Sequence, residues 1–198
     1  MLDKKYQSKE SAIASYDWID IASGTGFITF YPFDTADGLN ILTTNSDISS
    51  YPYFHYGTSS SYLMQETFET IMSSQRFVSG TAFINVPVLA LSSNTYNLIT
   101  TIYKNTISIG TTTTNNIAAQ LADNGTIISQ SVALTNTSFA PEDVLKVKIE
   151  VYWNEVTSST HGTVYHDPKG RTAVNPVGGA PLSINCQMSV SIPFRIDI

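Results

Sequence analysis

Three places in this 198-residue sequence bring together side chains that could do chemistry. The first is His161-Gly-Thr-Val-Tyr-His166-Asp167-Pro, where two imidazoles and a carboxylate offer zinc ligands. An odd separation places positions 161 and 166 on opposite faces of an extended chain, so one ion does not suit both. The run His166, Asp167, Pro168, Lys169, Gly170 and Arg171 reads instead as a structural turn, with Asp167 bonding its own backbone and Gly170 closing it. The second is Asp34-Thr-Ala-Asp37-Gly38 followed by Asn40, whose oxygens could hold calcium. An Asx turn ahead of a strand accounts for Asp34, Asp37 and Asn40 equally well and is preferred. Neither metal nor cofactor is expected.

The third is the set of carboxylates Glu66, Glu69, Asp143 and Glu150, from which a glycoside-cleaving pair would have to be drawn. Glu66 and Glu69 fall on opposite faces of a strand, and Glu150 shares a wet face with Lys146 and Lys148, where an ion pair is the ordinary outcome. GxSxG, HExxH and Walker A patterns are absent from the sequence. The expectation is a protein that is not an enzyme.

An aromatic run, Tyr51-Pro-Tyr53-Phe54-His55-Tyr56-Gly57, has a different use. Rings with polar tips give large contact area at low entropic cost, as glycan-binding and receptor-binding surfaces require. The same rings could cap one end of a core.

The elements that must carry these groups are strands. From Leu182 to Ile198 every even position is apolar, and Leu145, Val147, Ile149, Val151 and Trp153 alternate with polar partners behind a Pro141-Glu142-Asp143 turn. Cys186 has the apolar parity and reads as a buried small hydrophobe. Thr81 to Leu91 is apolar on both parities, as in a strand covered on both faces, and Pro87 asks for a bulge or an edge. Further strands are expected at Gly26 to Tyr31, Leu39 to Thr44, Tyr62 to Met72, Thr95 to Ile109 and Thr126 to Leu134, with Thr111 to Asn116 as low-complexity loop. The fold class is therefore all-β: an antiparallel β-sandwich, a single jelly roll over residues 23–198, with an immunoglobulin-like sandwich second. Residues 1–22 read as an N-terminal arm bearing Lys4, Lys5, Tyr6, Lys9, Tyr16 and Trp18.

Composition narrows the partners. Charged residues make up only 13% of the chain, about half the ordinary share, and between Arg76 and Pro141 the only charges are Lys104 and Asp123. A net charge of −6 argues against nucleic acid and anionic membranes, both of which call for clustered Lys and Arg. One cysteine forbids an intrachain disulfide. No apolar run reaches the roughly 18 residues of a transmembrane helix, and no apolar leader core follows the N-terminus, so the chain is expected to be soluble and not exported by a standard signal.

Four segments, Gly24-Thr-Gly-Phe-Ile-Thr-Phe30, Gly80-Thr-Ala-Phe-Ile-Asn-Val-Pro-Val88, Leu145-Lys-Val-Lys-Ile-Glu-Val-Tyr-Trp153 and His166-Asp-Pro-Lys-Gly-Arg-Thr172, resemble jelly-roll virion structural proteins of tailed phages and related environmental viruses. The resemblance implies a decoration, minor capsid or vertex protein in the virion. It implies a homotrimer attached to the major capsid protein, here through the arm, with no catalytic residues to carry over. The alternative is a glycan-binding or receptor-binding module that uses Tyr51 to Tyr56.

Overall fold

The computed structural model describes residues 25–34, 39–46, 64–91, 95–119, 125–154, 161–166, 168–174 and 181–195. The arm residues Lys4, Lys5, Tyr6, Lys9, Tyr16 and Trp18, the aromatic residues Tyr51, Tyr53, Phe54, His55 and Tyr56, and Asp37 and Asp167 lie outside this set.

All regular elements among the described residues are strands: β1 (Thr25–Asp34), β2 (Asn40–Thr43), β3 (Met64–Ile71), β4 (Arg76–Leu91), β5 (Thr95–Lys104), β6 (Ile107–Ala118), β7 (Thr126–Phe139), β8 (Val144–Trp153), β9 (His161–Val164), β10 (Thr172–Val174), β11 (Pro181–Asn185) and β12 (Ser189–Arg195). Ten of them form one sheet in the order β6-β5-β8-β3-β2-β1-β12-β4-β7, with β9 also against β4, while β10 and β11 pair separately. The hinge of this sheet is β1. Its residues Thr25 to Phe30 pair with β12, and Tyr31 to Asp34 pair with β2 on the other side. Neither neighbour runs the length of β1, and the changeover falls beside Pro32, which has no N–H to give a ladder. The sheet therefore folds over at β1 into two facing halves.

Period-two alternation fills the space between them. Ala82, Ile84, Val86 and Val88 of β4 and Val190 and Ile192 of β12 belong to the same buried cluster as Leu145, Val147, Ile149 and Val151 of β8 and Leu98 and Ile102 of β5. Phe68 points into that cluster from β3 and is fully buried, and Met64–Ile71 is the strand expected within Tyr62 to Met72. Tyr96 and Trp153 meet edge to face with ring centroids 5.4 Å apart.

The sheet's two terminal strands, β6 and β7, pack against each other and close the sandwich. Gln130 of β7 reaches across: its Nε2 donates to the Leu98 carbonyl and to Thr114 Oγ1, both at 2.9 Å, and its Oε1 accepts from the Thr100 hydroxyl. Gln130 and Thr100 are both buried, so each bond replaces one that water can no longer supply. Gly110 of β6 makes the approach possible, since a Cβ there would lie 2.7 Å from the Ala133 carbonyl and 2.8 Å from side-chain carbons of Val132 and Leu134.

A polar corner secures the neighbouring turns. Asp143 accepts from Asn105 Nδ2 at 2.8 Å and from the Ala140 N–H at 2.7 Å, and its carboxylate lies 2.9 Å from Lys104 Nζ. Asn105 takes a left-handed φ of 54° in the β5–β6 turn, and its Oδ1 accepts from the Val144 N–H. These hydrogen bonds, Asn105's foremost, hold the Asp143 carboxyl at about 2, below its ordinary 3.8.

The structure corrects several expectations. The sheet is mixed, not purely antiparallel, because β2 and β3 pair in parallel at Ile41 and Glu69. Thr95 to Ile109 is not one strand; it turns back at Asn105. Thr111 to Asn116 is not a loop, because its threonines pair with β5 residue by residue. The alternating run from Leu182 is interrupted over 186–188, where the chain leaves the β10–β11 pair for the main sheet; Pro193 lies on β12 inside that sheet, at a break in its register with β4. Within Thr81 to Leu91 the outward positions 81, 83 and 85 are exposed, and successive residues are buried over Val86 to Leu89.

Two outcomes follow. Gln130→Leu and Gly110→Ala should each lower unfolding stability by about 1–3 kcal/mol, through orphaned polar groups in the first and overpacking in the second. Denaturant titration measures both, and losses under about 0.5 kcal/mol would show that the closure lies elsewhere. Because folding depresses the Asp143 pKa, its contribution is complete above about pH 4 and is lost as pH falls through about 2. Asp143→Asn should therefore flatten the acid limb of the stability profile while lowering stability at neutral pH.

Candidate functional site

Outward-facing residues of β1, β12, β4 and β7 make the outer face of the first half of the sheet. Register places Thr29, Ser191, Phe83 and Ser131 in one row across it, and Ser189, Asn85 and Ser129 in the next. The second row is bonded from end to end: Ser129 Oγ donates to Asn85 Oδ1 at 2.7 Å, and Asn85 Nδ2 donates to Ser189 Oγ at 3.2 Å. Thr29 and Ser191 share a hydroxyl hydrogen bond of 2.9 Å in the first. Phe27 and Phe83 stand beside them with ring centroids 5.8 Å apart, and Phe83 is 51% exposed. Ile127, 46% exposed, stands two rows further along β7, beyond the Asn85 and Ser129 row, apart from this aromatic strip.

Rows and strip together carry no formal charge. The hydroxyls and amides of Thr29, Ser191, Ser129, Asn85 and Ser189 already partner one another, so covering them costs little desolvation, whereas a charged face would lose full hydration. The far end of the same face shows what a cover looks like. There Leu89, Tyr165, Ala173 and Cys186 form a second buried cluster under the β10–β11 pair. Burial, and after it the neighbouring Cys186, pushes the Tyr165 phenol well above its ordinary range.

The outer face of the second half is chemically opposite. Lys146 pairs with Glu69 at 2.9 Å, Lys148 pairs with Glu150 at 2.8 Å, and the Tyr152 hydroxyl donates to Glu150 at 3.2 Å. Glu66 lies on the other parity of β3 and accepts from Asn40 Nδ2.

Of the residues singled out from sequence, Asp34 sits opposite Asn40 in the β1–β2 ladder. His166 is buried with its ring edge-on to Phe68 at 5.2 Å. Pro168 and Lys169 form a turn, Gln187 Nε2 donates to the Pro168 carbonyl, and the Arg171 carbonyl accepts from the Cys186 N–H at 2.7 Å. Gly170 has φ +66°, and a Cβ there would meet Asn185 Nδ2 at 3.1 Å. Among the described residues no group of three or more His, Cys, Asp and Glu is placed to hold a metal ion. Sequence reading missed Phe27, Phe83 and Ile127. The available signal was apolar residues with the parity of their polar neighbours, two of them, Phe83 and Ile127, inside the nearly uncharged stretch.

No family model matches the sequence, and no curated protein matches it. Solved structures do share its fold. A CocE/NonD family hydrolase from Staphylococcus aureus, SACOL2612, aligns over 86% of this chain at 9% identity with a TM-score of 0.54. An α-amino acid ester hydrolase aligns over 84% at 7% identity and 0.57. An aminopeptidase from a marine sediment archaeon, Thaumarchaeota archaeon, aligns over 85% at 8% identity and 0.57. This chain spans 36–37% of the length of these proteins. The finding overturns the expectation of a non-enzymatic viral structural protein, and with it the decoration, minor capsid and vertex roles. Alternating strands and low charge suit a capsid jelly roll, but they suit equally a β-sandwich that is one part of a hydrolase.

Proposed function

We propose that this chain works as the β-sandwich portion of an ester-cleaving or amide-cleaving hydrolase, and that its uncharged outer face is where the catalytic body of that enzyme packs. One observation carries the reading: the match takes in most of this chain but little more than a third of each hydrolase. A β-sandwich embedded in a larger enzyme must give up one surface to the remainder. The face built from Thr29, Ser191, Phe83, Ser131, Asn85 and Ser129 is the one that loses least on burial, since it combines exposed aromatic area with internally bonded neutral groups.

We read the fold more finely as a single jelly roll. Strand order supports this: the halves run β1-β12-β4-β7 and β3-β8-β5-β6, and the chain passes between them from β3 to β4, from β4 to β5, from β6 to β7, from β7 to β8 and from β8 to β12. The function itself is argued from the face and the extent of the match, because a fold alone does not assign chemistry.

The test assays the chain in its whole enzyme, joined to or complexed with the catalytic body, against aminoacyl esters, short acyl esters and aminoacyl anilides. Hydrolysis of at least one class is expected. Phe83→Glu combined with Ser131→Lys should lower kcat/KM at least about tenfold or release the body, with an unchanged circular dichroism spectrum. Absence of hydrolysis across the panel would overturn the reading, and so would full activity in the double variant.

A further inference from the structure

At the end of the sandwich formed by β1, β2 and the β3–β4 turn lies a cavity of about 170 Å³. Its floor is apolar: Ile28, Phe30, Leu42 and Met72, each 9% exposed or less. Its rim carries the hydroxyls of Thr43, Thr44, Thr70 and Ser73 together with the exposed Ile71. One charged residue, Arg76, completes the lining. Among the described residues Arg76 makes no ion pair; its guanidinium lies over the Phe194 ring, 5.6 Å from the centroid. That stacking orients the planar fork and leaves its N–H groups for another acceptor. The wall is tied in place, because the Met72 N–H donates to the Asp143 carbonyl and the Glu142 N–H donates to the Met72 carbonyl, each at 2.8 Å. Site and charge are therefore in position before any ligand arrives.

We propose that this cavity binds a small monocarboxylate with an apolar tail, the carboxylate on Arg76 and the tail on the Ile28, Phe30, Leu42 and Met72 floor. Size sets the tail. A dry engineered cavity of about 150 Å³ takes a benzene ring, so this one suits a benzoate or a carboxylate of about four to six carbons. Charge sets the head group. A single arginine matches a carboxylate with two parallel N–H···O bonds, whereas a phosphate dianion in a chain of net charge −6 calls for more positive charge than the lining has. The rim hydroxyls can donate to a carboxylate oxygen that Arg76 leaves unmet. This inference stands apart from the hydrolase reading and survives its failure.

The test titrates the full chain with benzoate, hexanoate, benzyl alcohol, hexanol and inorganic phosphate, following backbone amide shifts by NMR. Saturable shifts at residues 42–44 and 70–76 are expected with the carboxylates, at least about tenfold weaker with the neutral alcohols and with phosphate. Arg76→Gln should weaken carboxylate binding at least about tenfold while leaving the alcohols unaffected, and Arg76→Lys should recover part of the loss. Thermal unfolding of each variant checks that the fold is retained, and a Thr70→Phe variant, which narrows the cavity without touching Arg76, should abolish binding of the tail. No saturable shift up to about 10 mM benzoate or hexanoate would overturn the proposal, as would equal affinity for acid and alcohol or undiminished binding in Arg76→Gln.

Discussion

Closure of the curled sheet is the constraint on which the other features rest. A sheet that folds over at β1 leaves the core-facing rows of its terminal strands, β6 and β7, half-exposed unless the two ends pack together. They meet because Gly110 removes the one side chain that would hold them apart, and because Gln130 satisfies the polar groups enclosed between them. Bringing β6 to β7 presses the β4 and β8 rows together, which sets the buried cluster that both halves share. The Asp143 corner, one turn away, keeps β5 and β8 aligned for that contact.

Once the halves are locked face to face, each is left with an outer surface, and the two surfaces part company. One holds lysines paired with glutamates, among them Glu150, which is buried at 8% exposure rather than on the wet face expected of it. The other holds bonded hydroxyls and amides beside Phe27 and Phe83, suited to a permanent neighbour. The Arg76 cavity belongs to the open end near the β1 hinge, where the inner faces diverge and the core stops short of the rim. Faces and cavity are thus consequences of one folding-over, seen from three directions.

Much of this was legible in the residues. Period-two alternation located β8 and β12, the neutrality of Arg76 to Pro141 foretold the uncharged face, and the Pro141-Glu142-Asp143 turn preceded its strand as expected. Other features were hidden for physical reasons. Asn105 turns the chain with a left-handed φ that sequence marks only weakly, so β5 and β6 looked like one strand. The threonines of β6 read as loop because their partners lie on β5, and only pairing makes them a strand. Gln130 breaks the apolar parity of β7 between Ile128 and Val132, and the groups it satisfies lie on β5 and β6, which no local pattern announces. The Arg76 cavity draws on β1, β2, β3, β4 and the turn between the last two, and no spacing in the sequence announces it. Function was the least legible: four resembling segments, low charge and alternating strands pointed towards a capsid, whereas the solved structures matched above are hydrolases that share the fold over little more than a third of their length.

The central claim is that the face of Phe83 and Ser131 is covered by the catalytic body of a hydrolase. The most direct measurement is maleimide labelling of a Ser131→Cys variant, since the native Cys186 is buried and contributes little background. Labelling is predicted to be fast in the isolated chain and at least about tenfold slower in the whole enzyme, with a Lys146→Cys variant on the opposite face labelled equally in both. Equal labelling of the Ser131 position in both states, or protection of the Lys146 position instead, would contradict the account.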